Sequence, residues 1–121
     1  MDVFSKNSEV KLIELQNEQE ALLSKRNVPS NDYNGIYQRF ENPVLTDKHI
    51  PLSWKFDLNL KRNPLLLQRI GVNAVFNAGA MKFNGKYLLC ARVEGWDRKS
   101  FFAIAESPNG VDNFRFWDEP I

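Results

Sequence analysis

The pair Asn84-Gly85, set between two apolar runs, is the feature that most constrains how this chain can fold. Both central residues of a type I′ turn need a positive φ, and asparagine and glycine adopt it most readily. The pair therefore predicts a tight β-hairpin, with strands over residues 72–83 and 86–94. Pairing on both sides of the turn would bring the far ends of the two strands together.

The β pattern continues after this hairpin. Residues 100–106 and 114–117 are typical of two further strands, separated by turns at 95–99 and 107–110. Four consecutive antiparallel strands form a meander, and a four-stranded meander of this length is typical of one β-propeller blade. We therefore predict a mainly β fold with an N-terminal α-helix, in which the meander is the first blade of a propeller that is incomplete in this chain.

The first part of the chain has a helical pattern over residues 5–25, with four apolar residues near one face: Leu12, Leu15, Ala21 and Leu22. We expect Lys25 and Arg26 in its last turn, where cations suit the helix dipole, and Pro29 prevents continuation. Two roles remain open for this helix, since it can pack on its own domain or act as an arm that contacts a neighbouring subunit.

Frequent prolines and Asn-Gly or Asn-Pro pairs mark the next segment as an extended lead-in. We expect two short strands in it, at 36–40 and 52–56, and leave 65–70 undecided between a helical turn and a strand. The lone His49 is interpreted as a surface loop residue. These patterns divide the chain into three parts: an N-terminal helix or arm (1–30), the lead-in (31–71) and the first blade (72–121).

Composition excludes several classes of function. Sixteen basic and fifteen acidic residues give a net charge of +1, which is not the basic surface that nucleic-acid binding needs. No apolar run reaches the roughly 18 residues of a membrane span, and no signal peptide is visible at the start. The lone Cys90 is expected to be a buried, inert thiol in a reducing cytoplasm. We expect neither a metal nor an organic cofactor.

Two polar residues stand out in the predicted hairpin because a buried strand gains nothing from them. Asn77 offers a donor and an acceptor, and Arg92 offers a planar fork of donors with a fixed charge. They can bind a ligand together at one mouth of the structure. The alternatives are an amide that satisfies a sheet edge and an arginine that reaches solvent.

A second group of candidates follows the hairpin, in the turn Gly95-Trp96-Asp97-Arg98-Lys99. An aromatic ring can stack on an apolar face of a ligand and charged groups can hydrogen-bond its polar groups, so this turn can bind a ligand, although a solvated charged turn explains it equally well. Arg69 and Asn73, near the start of the innermost strand, are weaker candidates.

A family resemblance runs through nearly the whole chain. The segment FNAGAMKFNGKYLLCARVEGWDRKSFFAIAESPNGVDNFRFWDEPI, together with PLSWKFDLNLKRNP and LLLQRIGVNA upstream, closely resembles the N-terminal part of the bacterial β-1,4-mannosylglucose phosphorylases of glycoside hydrolase family 130. Several unrelated segments agree in order and spacing, which makes the likeness specific.

The resemblance implies a five-bladed propeller enzyme that is cytoplasmic, metal-free and oligomeric, with contacts through the N-terminal helix. It implies inverting phosphorolysis of mannosylglucose or a related β-mannoside, with inorganic phosphate as co-substrate and α-mannose 1-phosphate and glucose as products. Asn77 and Arg92 match positions that line the mannosyl subsite. The general-acid aspartate and the phosphate-binding groups of the family match no residue here, so we expect no catalytic residue in this chain and no activity of the chain alone.

Two other interpretations remain open at this point. The chain can be a non-catalytic carbohydrate-binding or assembly module that uses the same face, or a free-standing α+β domain with only an ancestral likeness to the family.

Overall fold

The computed structural model describes residues 3–31, 33–69 and 71–121, apart from the side chains of residues 3–5, 77 and 78. Ile70, the last residue of the undecided segment 65–70, lies outside this description. The helices and strands follow in chain order: α1 (Val3–Ser24), a 3₁₀ turn (Asp47–His49), α2 (Leu52–Lys55), β1 (Val72–Phe83), β2 (Lys86–Gly95), β3 (Ser100–Ser107) and β4 (Arg115–Phe116).

The hairpin predicted at Asn84-Gly85 is confirmed. The two residues have φ of +51° and +76°, as a type I′ turn requires, and β1 pairs antiparallel with β2 on either side. The sheet has the order β1-β2-β3-β4 with every neighbour antiparallel, which confirms the four-stranded meander. The fold is thus mainly β with an N-terminal helix, and the sheet is compatible with a propeller blade.

One face of the sheet forms the core. The cross-strand pair Ala91 and Ala103 and the residues Val93 and Ala105, which alternate with exposed or half-buried positions, are all buried on this face. Their small side chains let the lead-in approach the sheet closely, and Ile50 from the lead-in is fully buried against them. The lead-in thereby covers this face and excludes water from it.

Trp54 of α2 is the largest side chain that the lead-in places on this core. Its ring centroid lies 5.9 Å from that of Phe101 in an edge-to-face contact and 5.7 Å from that of Phe116. The indole Nε1 donates a hydrogen bond to the carbonyl of Asp118, 2.6 Å away. Trp54 therefore joins the lead-in to β3, β4 and the residues after β4.

The two strands predicted in the lead-in are wrong. Residues 36–40 contribute only an isolated bridge between Phe40 and Pro29, and residues 52–55 form the single helical turn α2. The carbonyl of Pro51 accepts from Trp54 N and that of Leu52 from Phe56 N, so the proline begins the turn.

The expectation that His49 is a surface residue is also wrong, since its exposed fraction is 6%. It ends the 3₁₀ turn, where its Nδ1 accepts a hydrogen bond from the backbone N–H of Thr46, and the Thr46 side chain accepts from Lys48 N. This reciprocal capping draws the ring inward. Burial lowers the pKa of His49, with only partial opposition from the nearby Asp47 carboxylate, so the imidazole is neutral at pH 7.

Helix α1 ends at Ser24, so Lys25 and Arg26 follow the helix and do not lie in its last turn as predicted. The apolar residues predicted to share a face are half-buried, except Ala21, which is exposed. The helix is held by polar contacts: Gln19 Nε2 donates to the carbonyl of Ile50 at 2.6 Å, and Ser8 donates to the carbonyl of Pro64. Among the described residues, no helix is long and apolar enough to cross a membrane.

Asn27, just after α1, fastens the N-terminal part of the chain to the turn between β3 and β4. Its Nδ2 donates to the carbonyls of Asn42 and Val111, each at 2.8 Å, and its backbone N–H donates to Asp112 Oδ2 at 2.9 Å. In the same turn the buried Ser107 hydroxyl donates to the carbonyl of Asp112 at 2.6 Å. We call these contacts the Asn27 clamp.

The ion pair between Glu20 and Arg115 predicts an acid-sensitive attachment of α1 to β4. Both guanidinium ends of Arg115 contact the Glu20 carboxylate, at 2.8 and 2.9 Å, and these hydrogen bonds lower the pKa of Glu20 from 4.5 to about 2. A lowered folded-state pKa gives stability that is present above pH 4.5 and is lost as the pH falls towards 2. We expect the melting temperature of Glu20→Gln, followed by circular dichroism, to depend less on pH over this range than that of the wild type.

Glu18→Gln is the matched control, because Glu18 is exposed on the same helix and forms no ion pair within the described part of the chain. It should keep the wild-type pH dependence. If the melting temperatures of Glu20→Gln and the wild type changed equally between pH 5 and 2.5, the ion pair would not hold the helix in place.

The other face of the sheet has no such cover from the described residues. Phe76, Met81, Phe83, Phe102 and Trp117 are all substantially exposed there. Cys90, which is paired with Ile104 on this face, is half-buried and not fully buried as predicted, because the lead-in covers only the opposite side. We call this second surface the open face.

Candidate functional site

The candidate residues gather at the end of the sheet away from the Asn84-Gly85 turn. The antiparallel register places Val72 opposite Gly95 and Phe76 opposite Arg92. The turn at residues 95–99 then joins β2 to β3 at the same end. The start of β1, the end of β2 and this turn together form the site.

Arg92 lies on the open face between two aromatic neighbours. Its cross-strand partners are Phe76 on β1 and Phe102 on β3, and its guanidinium carbon lies 4.6 Å from the centre of the Phe76 ring. This cation–π contact fixes the side chain and leaves the donors at its rim available. Among the described residues, no carboxylate or carbonyl accepts a hydrogen bond from Arg92, so the fork can receive a ligand.

The position of Asn77 depends on an irregularity in the hairpin. Counting back from the turn without interruption would place Asn77 opposite Arg92, but the register shifts between Asn77 and Gly79, which leaves Ala78 as the extra residue. Asn77 is therefore opposite Ala91, and Phe76 occupies the place beside Arg92. The Asn77 side chain lies outside the described part of the structure, so its role in ligand binding stays a prediction.

Asn73 lies in a second irregularity, where the register shifts between Val72 and Ala74. Its Nδ2 donates to Glu94 Oε1 at 3.3 Å, and the side chain is exposed. Bulges redirect side chains and are common beside functional sites. Asn73 and Glu94 thus present an amide and a carboxylate at the end of the sheet away from the Asn84-Gly85 turn.

The turn after β2 is held by its own hydrogen bonds. Asp97 Oδ1 accepts from the backbone N–H of Lys99 at 3.0 Å. Gly95 N donates to the carbonyl of Lys99 at 3.0 Å, and the carbonyl of Gly95 accepts from Arg98 N at 2.9 Å. Arg98 has a φ of +65°. Asp97 therefore shapes the turn, whereas the exposed side chains of Arg98 and Lys99 point to no partner within the described residues.

Arg69 is not brought to this group by any described contact. Its guanidinium donates to the carbonyl of Ser53 at 2.5 Å, and its backbone N–H donates to the carbonyl of Lys55 at 2.7 Å. These contacts attach Arg69 to α2.

Trp96 lies across Gly71, and the sequence analysis did not foresee this contact. Its backbone N–H donates to the carbonyl of Gly71 at 3.1 Å, and a Cβ on residue 71 would fall 2.0 Å from the indole ring. The outer side of the ring is open, since 69% of Trp96 is exposed. The sequence did carry one signal of this close contact, namely a glycine immediately before a strand that contains candidate site residues.

Gly71→Ala should displace the Trp96 ring, because an alanine methyl group cannot share its space. The exposed ring can swing into solvent, so we expect the melting temperature to change little. The measurement is acrylamide quenching of tryptophan fluorescence, which should increase. Gly79→Ala is the matched control, since a Cβ there would meet no atom within 4 Å. Unchanged quenching in Gly71→Ala would show that Trp96 does not rest on Gly71.

Charge and metal chemistry can be stated for the described residues only. No group of three or more histidine, cysteine, aspartate or glutamate side chains among them is placed to hold a metal ion. The arrangement offers a cationic fork beside an aromatic ring, an amide–carboxylate pair and an exposed indole. Such groups suit a neutral, hydroxyl-rich ligand with one apolar face.

A comparison with known proteins agrees with the resemblance noted in the sequence. The chain is 59% identical over 102 residues to the 4-O-β-D-mannosyl-D-glucose phosphorylase of Bacteroides fragilis, a match that covers 84% of this chain. The matched segment spans 26% of the length of that relative. No protein-family model matches the chain. The resemblance to mannosylglucose phosphorylases is confirmed.

Proposed function

We propose that this chain is the N-terminal part of an inverting β-mannoside phosphorylase and supplies one side of its sugar-binding site. The observation that carries the proposal is the 59% identity over 102 residues to a mannosylglucose phosphorylase. The reaction transfers a mannosyl group from mannosylglucose to inorganic phosphate, and it yields α-mannose 1-phosphate and glucose. The first of the five blades of the expected propeller corresponds to β1–β4.

Inversion needs a proton on the leaving oxygen while phosphate attacks the opposite face of the sugar ring. Neither step is assigned to a residue of this chain. Its residues bind and orient the mannosyl unit, which keeps the ring in place while the bond to glucose breaks and the bond to phosphate forms. The general acid and the phosphate-binding groups come from the rest of the longer enzyme.

Arg92 is the central residue of this proposal. Phe76 holds its guanidinium from one side, so its donors can contact adjacent hydroxyls of the mannosyl ring without first breaking an ion pair. Asn73 with Glu94 closes the end of the site, and a contact of Asn77 with the sugar rests on the family resemblance alone. Trp96, Arg98 and Lys99 contact the glucose unit, whereas Arg69, whose guanidinium donates to the carbonyl of Ser53, is left out of the proposed site. Asp97 holds the turn that presents them.

A hybrid enzyme tests the function directly. Residues 1–121 replace the matched segment of the Bacteroides fragilis phosphorylase, and mannose 1-phosphate is measured after incubation with 4-O-β-D-mannosyl-D-glucose and phosphate. We expect the hybrid to release it and the 121-residue chain alone to release none. A folded hybrid without phosphorolysis would refute the proposal, and release by the chain alone would refute the assignment of the acid to the rest of the enzyme.

Arg92→Ala in this hybrid should lower kcat/KM by about 10- to 100-fold, the effect of losing hydrogen bonds from a charged donor worth roughly 1.5–3 kcal/mol. Arg92→Lys keeps the charge but not the fork, so we expect an intermediate loss. The melting temperature should change little in either variant, since Arg92 is exposed. Equal kcat/KM in Arg92→Ala and the unsubstituted hybrid would remove Arg92 from the site.

A second candidate function is carbohydrate binding without catalysis. The exposed Trp96 ring favours it, since an indole with one free side can stack on a sugar ring. Titration of the chain alone with mannosylglucose, followed by tryptophan fluorescence, tests this alternative. Saturable binding together with an inactive hybrid would favour the binding module over the phosphorylase.

The proposal has three further parts that remain predictions. The reaction uses phosphate as co-substrate and no metal or organic cofactor, and the enzyme acts in the cytoplasm. It assembles into a homo-oligomer through α1, and the exposed side chains of Val10 and Ile13 on that helix support this part. Ile13→Asp should then dissociate the oligomer, and light scattering should give a lower molecular mass for the hybrid in solution.

A further inference from the structure

A cavity of about 240 Å³ lies where the end of α1, the lead-in and the turn between β3 and β4 meet. That turn begins at Ser107, which pairs with Tyr87 beside the Asn84-Gly85 turn, so the cavity lies at the end of the sheet opposite the candidate sugar site. Its volume is that of about eight water molecules, which is room for a small organic ligand. One part of its wall is apolar and is formed by Leu22, Leu23 and Val111.

His49 brings to this cavity a hydrogen-bond donor that no described residue accepts. Only 6% of His49 is exposed, and its Nδ1 accepts from the backbone N–H of Thr46 at 3.0 Å, so the neutral ring carries its proton on Nε2. Among the described residues, every fully buried side-chain nitrogen and oxygen has a hydrogen-bond partner. Since Nε2 has none, it must reach the open space of the cavity that the ring lines. The free N–H there suits a ligand that brings an acceptor atom.

The other side chains beside this donor are positively charged. Lys25 and Lys48 both line the cavity, and neither forms an ion pair within the described part of the chain. Lys25 Nζ has only a long contact, 3.5 Å to Asn42 Oδ1, and the Nδ2 group of Asn42 donates to no described residue. The acceptor that these donors call for is therefore an anionic one.

Asp112 is the carboxylate on the cavity wall, and it forms no ion pair with these lysines. Its Oδ1 accepts from Asn109 Nδ2 at 2.7 Å and its Oδ2 accepts from Asn27 N at 2.9 Å. These hydrogen bonds lower the pKa of Asp112, so it stays ionised at pH 7. Because like charges repel, an anion would occupy the side of the cavity that His49 and the lysines line.

We propose that this cavity binds a small organic oxyanion, either a phosphate ester or a carboxylate. Its charged group accepts from His49 Nε2 and from the ammonium groups of Lys25 and Lys48, and its body lies on the apolar wall. Charge-assisted hydrogen bonds of this kind are about twice as strong as neutral ones, whereas a neutral sugar would leave both lysines unpaired. The site does not depend on the proposed function.

Binding at this site should also strengthen the attachment of α1. Lys25 directly follows the helix, whereas Lys48 and His49 belong to the lead-in, so the ligand joins two segments that the Asn27 clamp already connects. A ligand that binds only the folded chain stabilises it by mass action. We therefore expect the melting temperature to rise with the concentration of the anion.

Proton NMR of the 121-residue chain tests the proposal, because His49 is its only histidine and gives a single Cε1–H signal. Inorganic phosphate, phenyl phosphate and benzoate are titrated at constant pH, with sodium chloride at the same ionic strength as the reference. We expect phenyl phosphate or benzoate to shift the His49 signal in a saturable way and to raise the melting temperature. Sodium chloride should do neither, since it supplies screening but no oxyanion.

A pair of double variants separates the site from general attraction by charge. Lys25→Gln/Lys48→Gln removes both cations of the cavity and should weaken binding by about 10-fold or more. Lys6→Gln/Lys11→Gln changes the net charge by the same amount at exposed positions of α1 that do not line the cavity, and it should bind as the wild type does. All four lysines are exposed, so both variants should keep the melting temperature of the ligand-free chain.

Each outcome decides a part of the proposal. If neither organic anion shifts the His49 signal in a saturable way, or if both double variants weaken binding equally, the proposal is wrong. Inorganic phosphate that binds as tightly as phenyl phosphate would contradict the role of the apolar wall. Tighter binding of phenyl phosphate than of benzoate would assign the cavity to phosphate esters, and the reverse order would assign it to carboxylates. Because every measurement uses the chain alone, an inactive hybrid would refute the proposed function without affecting this result.

Discussion

Trp54→Ala is expected to destabilise the chain strongly. The substitution removes the edge-to-face contact with Phe101, the contact with Phe116 and the hydrogen bond to the carbonyl of Asp118. Replacing a large aromatic side chain in a core by alanine costs about 3–5 kcal/mol. Because small domains are stable by only about 5–15 kcal/mol, this loss removes a large part of the free energy of unfolding. Urea denaturation followed by circular dichroism measures it.

Two variants separate the contributions to the loss of stability in Trp54→Ala. Trp54→Phe keeps an aromatic ring but has no N–H for Asp118, so it should cost about 1 kcal/mol from the hydrogen bond and somewhat more from lost volume. Trp96→Ala removes the same side chain from an exposed position and should cost about 0.5 kcal/mol. If Trp54→Ala were no more destabilised than Trp96→Ala, the lead-in would not be packed on the sheet in solution.

Asn27→Ala should produce the second large loss of stability, about 2–3 kcal/mol. It removes both donors to the carbonyls of Asn42 and Val111 and the acceptor for Asn42 N, at 3.0 Å. These backbone groups are partly buried and cannot all turn to water. Thermal melting measures the effect. Asn42 offers a control, because its described side-chain hydrogen bond is a long one, 3.5 Å from Lys25 Nζ to Asn42 Oδ1. Asn42→Ala should therefore cost less than Asn27→Ala.

Asn27→Asp has the same shape and tests the direction of the hydrogen bonds. A carboxylate would place an oxygen against two carbonyls and close to the Asp112 carboxylate, which already accepts from the backbone N–H of residue 27. We expect Asn27→Asp to be less stable than Asn27→Ala at pH 7. The gap from the wild type should narrow below about pH 4, where the introduced carboxyl group becomes protonated. Wild-type stability of Asn27→Asp at pH 7 would contradict the clamp.

The sequence was sufficient for the β part of the fold because its signals are local. Asn84-Gly85 determines a turn by its allowed φ values alone, and alternating apolar residues on both sides then determine two strands. The errors lie where a long-range contact decides. His49 is buried because its turn contacts α1 and β1, and the apolar residues 52–56 begin with a helical turn after Pro51. Neither outcome is visible in a window of six residues.

The candidate site was foreseeable as a location but not in its details. Polar residues in strands pointed to the far end of the hairpin, where the structure places Arg92 and Asn73. The sequence analysis did not predict the extra residue Ala78, although Gly79 beside it is a glycine inside a strand, which often marks a bulge. That one residue exchanges Asn77 for Phe76 as the partner of Arg92. The relation between the two principal candidates therefore depends on an irregularity that strand alternation alone does not reveal.

The Asn27 clamp has a consequence for the order of events during synthesis. It joins residues that are 84 and 85 positions apart in the chain, so Asn27 cannot find Val111 or Asp112 until nearly all of the 121 residues have left the ribosome. The hairpin needs only residues 72–95 and can form as soon as they emerge. Helix α1 is made first and fully attached last, because its contacts with Ile50 and Pro64 can form before the clamp and the ion pair to Arg115. In the interval its half-buried leucines are available to chaperones or to the same helix of a neighbouring nascent chain.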